Sequence, residues 1–158
     1  MKKKRKAMMS QEYEKALKIM QMPNPNIEEA KNFLFRALEK CDPYAAYALG
    51  TWYFHGSYGI QQNKEKGVEL WLIASEKKVT DALFDLAVSY ETGNGVKKNL
   101  SRAAMFYIDA AIRGDRKAIF EVGRCYFFGI GLAKNKKIAD IWFERAEEFG
   151  MYENNRYE

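Results

Sequence analysis

The chain has 158 residues, of which 47% are hydrophobic and 30% are charged, a composition typical of a globular protein. Two cysteines and one histidine are too few for a disulfide-stapled scaffold or for most metal sites. No apolar run approaches the roughly 20 residues that span a bilayer, and no secretory leader pattern follows the first basic residues. We therefore expect a cytoplasmic protein with reduced cysteines and no membrane partner.

The formal net charge of +5 equals the charge of the five basic residues at positions 2–6, so the remainder of the chain is formally neutral. Residues 1–9 are predicted to form a disordered basic tail, because blocks of like charge repel one another. A nucleic-acid-binding domain usually spreads its basic residues over a folded face. The sequence therefore argues against nucleic-acid binding, and it leaves a contact between the basic tail and nucleic acid as an alternative.

A repeat of about 36 residues organises the rest of the chain. Small, aromatic and capping residues recur when the sequence is shifted by 36, and an earlier copy has one extra residue in the turn at 56–59. The pairs of this ladder include Ala82 and Ala118, Tyr90 and Tyr126, Gly93 and Gly129, Asn99 and Asn135, Ala110 and Ala146, and Gly114 and Gly150. We predict repeats at 43–78, 79–114 and 115–150, preceded by a partial N-terminal helix pair at 10–42 and followed by a polar tail at 151–158.

Each repeat is predicted to contain two helices. In the second repeat, Ala82, Leu86 and Tyr90 recur every four residues and share one helical face. Gly93 ends that helix, since glycine tolerates the left-handed conformation, and Asn99 caps the next one. The same reasoning along the chain predicts about eight helices, at 10–22, 26–40, 43–55, 63–77, 80–92, 99–113, 115–128 and 135–149. Such pairs bury their apolar faces only by stacking, so the sequence predicts an all-α solenoid with a concave inner face.

These units resemble the Sel-1-like repeat, a relative of the tetratricopeptide repeat. The second unit matches that pattern at Ala82, Leu86, Ala87, Tyr90, Gly93, Gly95, Val96, Asn99, Ala103, Phe106, Ala110, Ala111 and Gly114. Lys78 departs from it, because it stands where a closing glycine is expected. The resemblance implies a right-handed superhelical α-solenoid of antiparallel helix pairs and a role as an adaptor that binds other proteins.

In related helical repeats, the first helix of each unit lines the groove that holds the partner. Positions counted from the core residues Leu49, Leu86 and Val122 predict an aromatic stripe with mixed charges along it. The predicted groove residues are Tyr44, Tyr47, Phe54, Asp81, Phe84, Glu91, Lys117, Phe120, Arg124 and Phe127. Aromatic residues and arginine carry most of the energy of protein interfaces, although aromatic residues also serve simply as core.

The sequence contains no catalytic constellation and no metal or cofactor motif, so we expect a non-enzymatic protein with no cofactor. The glycine pairs at 93–95 and 129–131 lack the lysine and hydroxyl residue of a phosphate loop. An array of this size would also suit an immunity protein that binds and inhibits a bacterial toxin or effector. The sequence identifies neither the partner nor the oligomeric state.

Overall fold

The computed structural model of the chain describes residues 9–151, which contain eight α-helices and no strand. They are α1 (Gln11–Met20), α2 (Ile27–Glu39), α3 (Pro43–His55), α4 (Lys64–Glu76), α5 (Thr80–Thr92), α6 (Leu100–Ile112), α7 (Arg116–Phe128) and α8 (Lys136–Glu148). The predicted all-α fold is confirmed, and each helix ends within two residues of its predicted limits. The predictions for the basic tail up to residue 8 and for the polar tail from residue 152 lie outside the described residues.

Asparagine caps begin the second helix of each repeat, as predicted for Asn99. Its Oδ1 accepts a hydrogen bond from the backbone N–H of Arg102 at 3.0 Å. Asn63 and Asn135 cap α4 and α8 in the same way. A side-chain oxygen at this position satisfies a backbone donor that the first turn of a helix otherwise leaves unpaired.

The turns that close the second helices share one backbone conformation. Cys41, Lys78, Gly114 and Gly150 have φ angles of 59°, 61°, 93° and 71°. Each donates its N–H to the carbonyl three residues earlier, and the following residue bonds five residues back, the pattern of a Schellman cap. Lys78, which departs from the repeat pattern, therefore adopts the left-handed conformation without the freedom of glycine.

The described residues divide into two compact units that adjoin in sequence at Val79 and Thr80. In unit 1, α1 packs against α2, α2 against α3, and α3 against α4. Helices α3 and α4 meet through Gly50 and Gly67: a Cβ on Gly67 would lie 2.8 Å from the Gly50 carbonyl oxygen. The glycines therefore permit a backbone approach that any side chain would prevent.

In unit 2, α5 packs against α6, α6 against α7, and α7 against α8. The core is built from small and branched side chains together with one tyrosine and one cysteine. Its buried members are Leu83, Ala87, Ala104, Tyr107, Ala110, Ala111, Ala118, Ile119, Val122, Cys125 and Ala146. Six of these eleven residues are alanines, whose small side chains let neighbouring helices lie close together. This arrangement positions the first-helix side chains discussed next.

Candidate partner-binding surface

The predicted groove residues differ in how much surface they present. In unit 1, Tyr44 and Tyr47 are half-buried, whereas Phe54 is only 9% exposed. The Phe54 ring stacks on Trp71 of α4, with 4.6 Å between the ring centroids. Tyr44 also contacts the ring of Tyr13 on α1, at 5.9 Å. Phe54 therefore offers little surface to a partner, and the two tyrosines offer more.

In unit 2, the predicted residues lie on α5 and α7. Asp81 and Lys117 are exposed at the starts of these helices. The other five residues are half-buried, and they are Phe84, Glu91, Phe120, Arg124 and Phe127. Each of the five thus combines contact with the core and access from outside.

The three predicted groove phenylalanines of unit 2 rest on rings from the second helices. Phe84 meets Tyr107 of α6 edge to face at 5.7 Å. Phe120 and Phe127 lie 5.4 and 6.3 Å from Phe143 of α8. Ring pairs at these separations are favourable, and contact with the core restricts each ring to few rotamers. A partner would therefore meet rings that are already held in place.

Charged groups of α5 and α7 form a connected network beside these rings. Arg124 donates through Nη2 to both carboxylate oxygens of Glu91, at 2.7 and 2.8 Å, and through Nε to Glu121 at 2.6 Å. The Tyr107 hydroxyl donates to Glu91 at 2.9 Å. The three charged side chains are only 20–24% exposed. Two predicted residues, Glu91 and Arg124, are thus brought together as a geometrically fixed pair.

Two members of this network, Arg124 and Tyr107, have pKa values that their surroundings shift upward. Burial alone would lower the pKa of Arg124, but the hydrogen bonds that Arg124 donates to Glu91 and Glu121 outweigh burial and raise it. Burial, reinforced by the charge of Glu91, raises the pKa of Tyr107 well above its usual value. The guanidinium therefore stays charged and the phenol stays a donor.

Two members of the network, Tyr107 and Glu121, were not among the predicted groove residues. Glu121 lies three residues before Arg124 on α7, a spacing at which helical side chains meet, so the sequence held a signal for this pair. Tyr107 is a core residue at 2% exposure, but its hydroxyl also reaches Glu91. No sequence pattern links positions 91 and 107 specifically.

Lys117 adds a cation at the edge of this surface. Its Nζ lies 5.9 Å from the centroid of the Phe84 ring, a distance at which an ammonium is attracted to an aromatic face. Helices α5 and α7 thus carry three half-exposed rings, a fixed arginine–carboxylate network and an exposed lysine in one unit. We call this set (Phe84, Glu91, Lys117, Phe120, Arg124 and Phe127) the α5/α7 surface.

Residues 9–151 contain neither a cluster of metal-binding side chains nor a helix that could cross a membrane. Within residues 9–151, His, Cys, Asp and Glu do not gather in groups of three that could hold a metal ion. None of the eight helices in that range combines the length and apolar character that a bilayer crossing requires.

Comparison with known families matches the Sel1 repeat at residues 43–79, 80–115 and 116–148, which is most of the chain. The chain belongs to the Sel1 repeat family. Sel1-repeat proteins generally serve as protein-interaction modules, and this fold is typically a non-enzymatic scaffold.

Among curated proteins, the chain is 30% identical over 88 residues to the ERAD-associated E3 ubiquitin-protein ligase component HRD3B of Arabidopsis thaliana. That match covers 56% of this chain but only 14% of HRD3B. A solved protective antigen of uropathogenic Escherichia coli, which displays an SLR fold, is 27% identical with a TM-score of 0.83. It matches over 91% of this chain and 31% of its own length.

A Sel1 repeat protein from Oxalobacter formigenes is 30% identical with a TM-score of 0.68, over 78% of this chain and 90% of that one. An immunity protein from Pseudomonas aeruginosa has a TM-score of 0.57 over 88% of this chain and 52% of that one, at 19% identity. The last likeness concerns the fold alone. With the eight helices of the described range, these structures confirm the predicted α-solenoid fold class.

Proposed function

We propose that this Sel1 repeat chain is a non-enzymatic interaction module and that a partner protein or peptide docks on the α5/α7 surface. The observation that carries the proposal is the combination of half-exposed aromatic rings with a fixed arginine–carboxylate network. Aromatic and arginine side chains dominate the energy of interfaces when they are held rigidly and become fully desolvated on binding.

The charges on this surface would orient the partner. Glu91 and Glu121 share one arginine, so the network carries an excess of one negative charge, while Lys117 supplies a positive charge at the start of α7. Opposite charges near the rings favour one docking direction over its reverse. Tyr44 and Tyr47 of unit 1 and Asp81 at the start of α5 stay predicted partner contacts, whereas Phe54 is too buried to contribute much.

The test is a comparison of affinity capture from native lysate by two double variants. Phe84→Ala with Phe120→Ala removes two rings of the surface. Met105→Ala with Ile112→Ala removes two side chains of α6 that are 68% and 66% exposed and serves as the matched control. We expect the affinity of the first variant for the partner to fall roughly 30-fold or more, which is the effect of losing one strong interface residue. The control should bind the partner with unchanged affinity.

Because the two phenylalanines also contact the core, circular dichroism must show that the first variant is folded. If it is not, Lys117→Glu reports on the same surface from an exposed position. Full affinity in a folded ring variant, or in Lys117→Glu, would refute the assignment of the site.

The captured protein then distinguishes the narrower roles. If it is toxic when expressed alone and this chain restores growth, the module acts as an immunity protein. If it is not toxic, the module acts as an adaptor. Material that is removed by nuclease, and is captured equally by the ring variant, would instead assign binding to the basic run at positions 2–6, with the steep salt dependence of phosphate contacts.

A further inference from the structure

A cavity of about 500 Å³ opens in unit 1 where α2, α3 and the start of α4 meet. None of the residues that line it belongs to the predicted groove. They are Lys31 and Phe35 of α2, Tyr53 of α3, residues Ile60, Gln61, Gln62 and Asn63 of the connecting loop, and Lys66 of α4. The volume lies within the range of pockets that bind ligands.

The lining combines an apolar part with positive charge. Phe35, Tyr53 and Ile60 are half-buried, so their exposed portions are apolar surface. Lys31 and Lys66 supply two ammonium groups, and none of the eight lining residues is acidic. Lys66 also lies in the first turn of α4, where the helix dipole adds partial positive charge.

Lys66 is held next to the apolar part. Its Nζ lies 4.6 Å from the centroid of the Tyr53 ring. The equivalent pair in the next repeat is Arg102 over Tyr90, at 4.4 Å, so this cation–ring contact is not specific to the cavity, although the third repeat has Ile138 at that position. What distinguishes unit 1 is Lys31 with Phe35 on one side and the loop that carries an inserted residue on the other.

We propose that this cavity binds a peptide segment of a partner protein in which a carboxylate lies beside an aromatic side chain. The two lysines match the carboxylate, and the ring surfaces of Phe35 and Tyr53 match the aromatic group. The side-chain amide of Gln61 can donate to and accept from peptide groups, whereas Gln62 Nε2 already donates to the Phe54 carbonyl at 3.1 Å and leaves its carbonyl oxygen as an acceptor. Lys31 already pairs with Glu28, at 2.5 Å, so a ligand carboxylate competes with Glu28 for it.

The experiment titrates the ¹⁵N-labelled full chain with the peptide acetyl-Gly-Asp-Phe-Glu-Gly-amide and follows the backbone amides by NMR. The neutral control peptide is acetyl-Gly-Asn-Phe-Gln-Gly-amide. We expect shifts concentrated at the lining residues, which are Lys31, Phe35, Tyr53 and residues 60–63 and 66, and weaker binding of the neutral peptide. Added salt should weaken binding of the acidic peptide, because exposed charges are screened.

Three variants separate this site from general charge effects. Lys66→Gln should weaken binding about two- to fivefold, the range for one exposed ion pair, and Glu28→Gln should strengthen it by a similar factor. Arg102→Gln, which removes the equivalent cation of unit 2, should leave binding unchanged. The Lys66 variant keeps its helix cap, because Asn63 accepts from the backbone N–H of Lys66 and not from its side chain.

Equal binding of the two peptides, shifts that leave the lining residues of the cavity unaffected, or equal effects of Lys66→Gln and Arg102→Gln would each overturn the proposal. The outcome is independent of the proposed function, because Phe84 and Phe120 lie in the other unit. Their double variant should bind the acidic peptide like the unaltered chain.

Discussion

Replacing Lys78 with glycine should stabilise the protein. Lys78 closes α4 at a φ of 61°, and Gly114 closes α6 at 93° with the same pattern of backbone hydrogen bonds. A residue with a Cβ pays about 1–2 kcal/mol in the left-handed region. Glycine avoids that cost but loses about 0.4–1 kcal/mol through the greater freedom of the unfolded chain. The net gain for Lys78→Gly is therefore about 0.5–1 kcal/mol.

The reciprocal change isolates the conformational effect. A Cβ added at Gly114 would meet no atom within 4 Å, so Gly114→Ala introduces backbone strain without a clash. We expect it to destabilise the protein by about 1 kcal/mol. Lys78→Ala keeps the Cβ and removes the rest of the side chain, so it shows what the lysine contributes through its own contacts.

Urea denaturation followed by circular dichroism measures the free energy of unfolding of all three variants. In thermal melts, the melting temperature should rise by about 1–4 °C for Lys78→Gly. The reasoning is refuted if Lys78→Gly lowers the midpoint while Lys78→Ala leaves it unchanged. In that case the left-handed conformation at this turn would cost lysine less than glycine loses in the unfolded chain.

Three further changes test the packing and the network. Arg124→Met should destabilise the protein by about 2–3 kcal/mol, because two half-buried carboxylates lose their cation. Arg113→Met removes the cation of a more exposed pair and should cost under about 1 kcal/mol. Equal losses of unfolding free energy in urea denaturation would contradict this difference. Burial raises the pKa of the Cys125 thiol from 9.0 to about 12, so stability that is present below pH 9 should fall by up to about 1.4 kcal/mol per pH unit above it. The fall between pH 9 and 10.5 should be shallower in Cys125→Ala, and an unchanged slope would exclude the thiol as its cause. Gly67→Ala should cost about 1–2 kcal/mol by tryptophan fluorescence, since its Cβ would meet the Gly50 carbonyl oxygen at 2.8 Å; an unchanged midpoint would show that α3 and α4 can separate freely.

Local sequence signals predicted the elements of this fold accurately. Asn99 caps α6 and Gly93 follows α5 in the left-handed conformation, as their positions in the repeat required. Even Lys78, which breaks the pattern, takes the conformation of the glycine that it replaces. The hydrogen bonds of the surrounding turn define this backbone geometry, so one unfavourable side chain does not change it.

The candidate site was only partly predictable. Counting positions along α3, α5 and α7 treats Tyr47, Phe54 and Phe84 as comparable, yet Phe54 is buried against Trp71. The count follows the direction of a side chain from its helix but not the size of its neighbours. Trp71 is a larger ring than the side chains at the equivalent positions of the later repeats, and it covers Phe54.

The sequence by itself determined the helices, their caps and their turns, because these depend on residues at most a few positions apart. The recurrence of these signals about every 36 residues determined the repeat that pairs the helices. Only the tertiary structure decided that Glu91, Tyr107 and Arg124 share one network, and that Lys31 and Lys66 line one cavity. Such contacts join residues 16 to 35 positions apart in sequence, and they depend on distances between packed helices. A one-dimensional pattern states which face a residue occupies, whereas packing determines what it touches there.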